Sequence, residues 1–162
     1  MEKTIYPLSI KRIFHPTDFT LDSDIAFAHA LGISVKAGAR LDLMHVAPAK
    51  EKFDSQKFPS INLTLRRWGY YNSFSKASVK PGIKVNKIVE KQSDPAKSIL
   101  QFLENHSTDL IVLASHGTAA HPIRWLHKSV AEPIARESHV MTLFIPHGDQ
   151  GFISFDCGKM TL

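Results

Sequence analysis

The chain has 162 residues, 43% of them hydrophobic and 22% charged, which is the balance of one soluble globular domain. Its eight glycines and nine prolines are too few for a disordered or fibrous protein. The net charge of +5 comes from scattered basic residues, with no basic stripe interleaved with aromatics. We therefore expect a solvated basic surface and no nucleic-acid partner.

The cellular compartment is indicated by what the sequence lacks. Cys157 is the single cysteine, so an internal disulfide is excluded and a reducing compartment is favoured. No apolar run approaches the roughly 20 residues of a membrane helix. Residues 1–12 contain no apolar core of the kind found in secretory signals. We expect a cytoplasmic protein that does not bind a membrane.

Strand patterns alternate with helix patterns along the chain. Short apolar runs, ended by prolines or turn residues, predict strands at residues 10–15, 41–47, 83–89, 109–114 and 141–145. Helical spacing predicts a helix at residues 22–37 and a second one whose buried face includes Ile61, Leu65 and Trp68. Capping residues predict two more helices, one that begins at Asp94-Pro95 and one that begins with a capping box of Ser129 and Glu132. Pro133, at about the fourth position of the last helix, should remove one early backbone hydrogen bond.

This alternation indicates an α/β domain whose parallel sheet is covered by helices on both faces. Such sheets bind ligands at the carboxyl ends of the strands, where the strand order switches. Three predicted strands end in polar or small residues: His15-Pro16-Thr17-Asp18, His45-Val46 and Ala114-Ser115-His116-Gly117. We expect the functional site at that edge.

Four short motifs resemble the universal stress protein family: Pro16-Thr17-Asp18-Phe19, Asp109-Leu110-Ile111-Val112, Ser115-His116-Gly117 and Ser129-Val130-Ala131-Glu132. The segments that carry them follow one another in the family's order. The resemblance implies a five-stranded parallel sheet in the order 3-2-1-4-5, an α/β/α sandwich that would occupy residues 1–146. It also implies a stress-response regulatory or ligand-binding role, without enzymatic activity.

Members of this family that bind ATP resemble one another in a motif of Gly, two residues, Gly, nine residues, Gly, then Ser or Thr. The glycines let the backbone approach the ribose and phosphates. In this chain the first position is Ala114 and the third is Lys128, while Gly117 and Ser129 match. Ten residues, rather than nine, separate Gly117 from Lys128.

The resemblance assigns these candidate nucleotide-binding residues: Pro16, Thr17, Asp18, Val46, Ala114, His116, Gly117, Lys128, Ser129 and Val130. A methyl group at Ala114 fills space that a ribose would need, although Lys128 could neutralise a phosphate. We therefore expect no tight ATP binding. The alternative is a true ATP or AMP binder that acts as a nucleotide-gated switch.

Other chemistries have less support in the sequence. His15, His45 and His116 follow neighbouring strands and could converge on a metal ion, which makes a metal-binding stress protein the second alternative. Ordinary hydrogen-bonded histidines are the simpler interpretation. The chain has no GxSxG elbow, no HExxH and no complete phosphate loop, so we expect no catalytic residues.

The last strand predicts the mode of assembly. Residues 141–145 are apolar on both faces of the predicted strand. In the family that the chain resembles, the last strand commonly pairs with its counterpart across a two-fold axis. We expect a homodimer, or a tandem-domain partner, through this strand. Residues 147–162 form a C-terminal tail, in which residues 152–155 can add one short strand. The chain would then be either a single domain or the first half of a tandem protein.

Overall fold

The structure is a computed structural model that describes residues 9–69, 82–115 and 130–146, with the backbone of residues 154–156 and 159–161. The main elements are β1 Arg12–Pro16, α1 Leu21–Ala37, β2 Arg40–Ala47, α2 Ile61–Arg67, β3 Val85–Lys91, α3 Pro95–Asn105, β4 Leu110–Ala114, α4 Ala131–Glu137 and β5 Met141–Ile145. A 3-10 turn, Ser55–Lys57, precedes α2. Among these residues no helix is long and apolar enough to cross a membrane.

The five main strands form one parallel sheet in the order β3-β2-β1-β4-β5. This confirms the predicted α/β fold and its strand order, with β1 between β2 and β4. The edge positions expected for the third and last strands are also confirmed. After β5, two short strands, β6 Ser154–Asp156 and β7 Lys159–Thr161, pair antiparallel in a separate sheet. A strand therefore forms within the predicted tail, and its partner is β7.

Local capping chemistry sets the helix boundaries. Thr20 caps α1 by accepting from the Ser23 N–H, and Gly38 ends this helix in a left-handed conformation with φ of 64°. Asp94 caps α3 by accepting from the Lys97 N–H, and Pro95 occupies the first turn as predicted.

The beginning of α4 differs from the prediction. The helix starts at Ala131, and its N-cap is Val130, which makes no side-chain capping bond. Pro133 is therefore the third helical residue rather than about the fourth. The N–H groups in the first turn of a helix have no acceptor within that helix, so a proline at this position removes no backbone hydrogen bond. The expected loss of such a bond was therefore wrong. Ser129 lies outside the described residues.

Helices cover the sheet on both faces, in agreement with the prediction. On the first face, α1 and α2 pack on the strands through buried residues that include Phe27, Leu31, Leu65 and Trp68. On the second face, α3 and α4 do so through Ile99, Leu103 and Ile134. Side chains of β1 alternate between the two faces, with Ile13 in the first core and Phe14 in the second.

The strand order reverses between β1 and β4. The chain leaves β1 for β2 on one side and returns to β4 on the other, which is the topological switch point of the sheet. The β1–β2 register runs from Arg12 to Pro16, but the β1–β4 register contains only Ile13 and Phe14 of β1. The pairing of β1 with β4 therefore ends before its pairing with β2, and we call the place between the carboxyl ends of β1 and β4 the crevice.

Candidate functional site

Pro16 ends the pairing of β1 with β4. The Thr17 N–H donates to the Met44 carbonyl on β2 at 2.8 Å. Successive N–H groups of a strand point to opposite neighbours, so position 16 faces β4. Proline has no N–H to donate, and the ladder stops at this position.

The His15 side chain bridges the two strands where the ladder stops. Its Nδ1 lies 2.8 Å from the Val112 carbonyl of β4. Because a carbonyl only accepts, Nδ1 carries the proton and Nε2 presents a lone pair. The ring is fully buried, and Nε2 has no hydrogen-bond partner among the described residues.

Burial lowers the pKa of His15 from 6.5 to about 4. The backbone groups of Val112 and Ser23, and then the Asp18 carboxylate, act in the opposite direction. The Ser23 backbone approaches the ring without giving Nε2 a hydrogen bond. Desolvation outweighs these contributions, so the bridging ring is neutral at pH 7.

The β1–α1 turn is held by its own side chains. The Asp18 Oδ1 accepts from the N–H and the hydroxyl of Thr20, at 3.0 and 2.6 Å. The Thr17 hydroxyl accepts from the Phe19 N–H at 3.2 Å and from the Ser23 hydroxyl at 3.0 Å. These bonds fix the backbone that forms one wall of the crevice.

Two carboxylates lie at the beginning of α1. Asp18 is exposed in the β1–α1 turn, and Asp24 follows in the first turns of the helix. Partial burial, and then the neighbouring Asp18 carboxylate, raise the pKa of Asp24. The two carboxylates therefore act on one another.

An aromatic cluster of Phe19, His45, Phe53 and Phe58 lies next to this turn. The His45 Nδ1 donates to the Thr17 carbonyl at 2.8 Å, which ties β2 to the turn. The His45 ring centroid lies 4.4 Å from that of Phe19 and 5.1 Å from that of Phe53. Phe58 meets Phe19 edge to face at 5.4 Å. The cluster packs the turn against the loop that follows β2.

Phe19 has a backbone conformation that favours glycine. Its φ is +62°, in the left-handed region, where a side chain costs roughly 1–2 kcal/mol. The ring contacts of the aromatic cluster compensate for this strain. Phe19 is therefore held in place by its side chain rather than by its local backbone preference.

The structure places six of the ten predicted binding residues. Thr17 is buried, Pro16 and Val46 are half-buried, and Asp18 is exposed. Ala114 packs against the first-face core, whereas Val46 and Val130 pack against the second-face core. The remaining four, His116, Gly117, Lys128 and Ser129, lie outside the described residues.

The histidine arrangement does not form a metal centre in the described part of the chain. His15 and His45 each donate from Nδ1 to a backbone carbonyl. In residues 9–69, 82–115 and 130–146 no group of three or more His, Cys, Asp or Glu side chains could hold a metal ion. The third candidate, His116, lies outside those ranges.

Two features of the site were missed from the sequence. The first is the bond from His15 to β4, which was not predicted. The signal was Pro16, because a proline at the end of a central strand leaves one acceptor of the neighbouring strand without its donor. Phe53 was also missed, since it lies in a charged stretch with no regular spacing.

Replacing Phe19 tests how the turn is held. We expect Phe19→Ala to lower the free energy of unfolding by about 2 kcal/mol through lost ring contacts. Phe19→Gly should be more stable than Phe19→Ala by about 1 kcal/mol, because glycine adopts positive φ without strain. Urea unfolding followed by circular dichroism measures both.

The control for this comparison is Ala28→Gly within α1, where glycine should be the less stable residue. If Phe19→Gly is less stable than Phe19→Ala, the strain assigned to this position is contradicted.

Comparisons with known proteins agree on the family and the fold. The model of the Universal stress protein family matches residues 9–146. The comparison with curated proteins gives no match. A universal stress protein structure from Archaeoglobus fulgidus superposes with a TM-score of 0.61 at 22% identity, covering 92% of this chain and 48% of that one.

Two further similar structures contain adenine nucleotides. A universal stress protein in complex with cAMP has a TM-score of 0.57 at 18% identity and covers 85% of this chain and 98% of its own. The universal stress protein from Archaeoglobus fulgidus in complex with dAMP has a TM-score of 0.50 at 15% identity, with coverages of 85% and 98%. At these identities the likeness concerns the fold. With the family match over residues 9–146, the sheet order and the crevice at the β1–β4 switch point, the chain belongs to the universal stress protein family.

Proposed function

We propose that this chain is a ligand-binding domain with a regulatory role in the stress response, and that its crevice holds adenine nucleotides weakly. The observation that carries this proposal is Ala114 at the end of β4. It occupies the first glycine position of the family's ATP motif, and it is half-buried against the first-face core. A methyl group at this position would hinder the close approach of a ribose to the backbone.

The bonds that Asp18 already makes support weak binding. One oxygen of Asp18 already accepts two bonds from Thr20. A ligand that uses this oxygen must share it or displace them. Lys128 remains the predicted counter-charge.

Adenine nucleotides are the ligand class to test first. The similar structures that contain cAMP and dAMP make this class plausible for the same crevice. The alternative from the sequence, a nucleotide-gated switch, requires tight binding. We propose no catalytic residues. A domain that binds nucleotide weakly would have at most a weak ATPase activity. In the described part of the chain no observation favours the metal-binding alternative.

Calorimetric titration tests the proposal. With ATP and magnesium, AMP, cAMP and dAMP, we expect dissociation constants no tighter than about 100 μM, roughly −5.5 kcal/mol. Ala114→Gly should tighten binding by about tenfold, because it removes the methyl group from the crevice. Ala47→Gly, at the end of β2, is the matched control and should leave affinity unchanged.

A dissociation constant of a few micromolar for the unaltered chain would contradict weak binding and would favour the nucleotide-gated switch. Equal affinities for Ala114→Gly and the unaltered chain would show that the methyl group is not the obstacle. Nucleotide released by denaturing the purified protein, identified by mass spectrometry, would also count against weak binding.

We also propose that residues 1–146 form the family domain and that β5 pairs with β5 of a second copy. The strand is at the sheet edge, and Met141 and Phe144 are 47% and 43% exposed. The Ile145 carbonyl accepts from the Ser115 N–H, so position 145 faces the body of the sheet. The backbone of Phe144 therefore faces the open edge. Residues 147–162 would then form a tail beyond this interface.

Light scattering coupled to size exclusion measures this assembly. The chain has a mass of 18.1 kDa, and we expect about twice that mass at tens of micromolar. Phe144→Pro removes an outward N–H without a loss to the β4–β5 ladder, so it should give the monomer. Phe144→Ser keeps the N–H and is the control for the lost ring. A monomeric unaltered chain at this concentration would rule out the dimer.

A further inference from the structure

We propose that His15 is a positioning residue that latches β1 to β4 across the crevice, and that protonation of its buried ring weakens this latch. Nδ1 keeps its proton in both forms, so the weakening comes from burying the charge and the second N–H. The His15 latch is the bond from the Nδ1–H to the Val112 carbonyl. The proposal concerns the crevice itself and does not depend on which ligand enters it.

The latch replaces a backbone bond that Pro16 cannot make. In the β1–β4 register Phe14 lies opposite Ile111. Backbone N–H groups that face the same neighbouring strand are two residues apart, so after Phe14 the next N–H of β1 to face β4 would be at position 16. It would donate to the carbonyl of Val112, the residue after Ile111. Pro16 leaves this carbonyl without a backbone donor, and the imidazole of the preceding residue supplies one instead.

The surroundings of the ring make the latch sensitive to protonation. From α1 the Phe27 ring faces it at 6.5 Å, together with the backbone of Ser23. From β2 the residue in register is the apolar Leu43. In the part of the chain that the structure describes, the charged group that acts on the ring is Asp18 of the β1–α1 turn. A second N–H on His15 would be buried without an acceptor at hydrogen-bond distance among the described residues.

The direction of the pH effect follows from this burial. The pKa of His15 is lowered to about 4 in the closed crevice, against an ordinary value of 6.5. An open or unfolded state therefore binds the proton more readily than the closed state. Closure is fully favoured above about pH 6.5, weakens as the pH falls below it, and is lost as the pH passes through the lowered pKa.

The variant His15→Asn tests the role of the hydrogen-bond donor separately from the role of protonation. The side-chain amide of His15→Asn can place an N–H donor where Nδ1 lies, but it cannot be protonated in this range. His15→Val removes the donor altogether. The readout is the hydrogen-exchange protection of the β4 amides at residues 111–113, measured by NMR between pH 7 and pH 3.

At pH 7 we expect the unaltered chain and His15→Asn to be equally protected, and His15→Val to be about tenfold less protected. As the pH falls below about 6.5, the unaltered chain should lose protection progressively, by about tenfold near pH 5.5 and by more below it, whereas His15→Asn should keep it. His106→Asn is the control, because His106 also bonds a carbonyl through Nδ1, at 2.9 Å, but is exposed. This variant should behave as the unaltered chain does.

Two results would overturn the proposal. The first is protection in His15→Asn as low as in His15→Val at pH 7, which would show that the donor does not matter. The second is loss of protection at the same pH in His15→Asn and in the unaltered chain, which would show that His15 is not the titrating group. If His15→Val does not fold, the comparison of His15→Asn with the unaltered chain still decides the second question.

Discussion

One missing N–H shapes the carboxyl end of this sheet. Pro16 faces β4 without a donor, so the two central strands separate at the point where the strand order reverses. The buried imidazole of His15 satisfies the carbonyl that would otherwise be left unpaired. An unpaired buried backbone group costs about 1–3 kcal/mol, so this side-chain bond preserves the stability of the central pair while leaving the crevice above it.

The rest of the site is built around that separation. The β1–α1 turn closes one side, held by the hydroxyls of Thr17 and Thr20 and by the strained Phe19 packed in the aromatic cluster. At the end of β4, Ala114 stands where the family's ATP motif has glycine, and Asp18 and Asp24 lie near one another at the beginning of α1. These features underlie the proposal that the domain holds its ligand weakly.

The fold could be predicted from the sequence because its signals are local. The apolar run of β4 indicated a covered strand, and Asp94-Pro95 indicated the beginning of α3. The latch could not be predicted in the same way, because it joins residues 97 positions apart and depends on a side-chain direction. The aromatic cluster likewise requires the fold before Phe19 and Phe53 become neighbours. Sequence patterns located the carboxyl edge of the sheet, and tertiary contacts determine what lies there.

The tautomer of His15 is the most direct test of this account. Nitrogen-15 NMR of the imidazole rings distinguishes a protonated ring nitrogen from one with a lone pair, and His15→Asn assigns the signals. At pH 7 the account predicts a neutral ring with the proton on Nδ1 and a free lone pair on Nε2. A ring protonated on Nε2 alone would contradict the bond to Val112 and with it the latch across the crevice. A ring protonated on both nitrogens would contradict its neutral state.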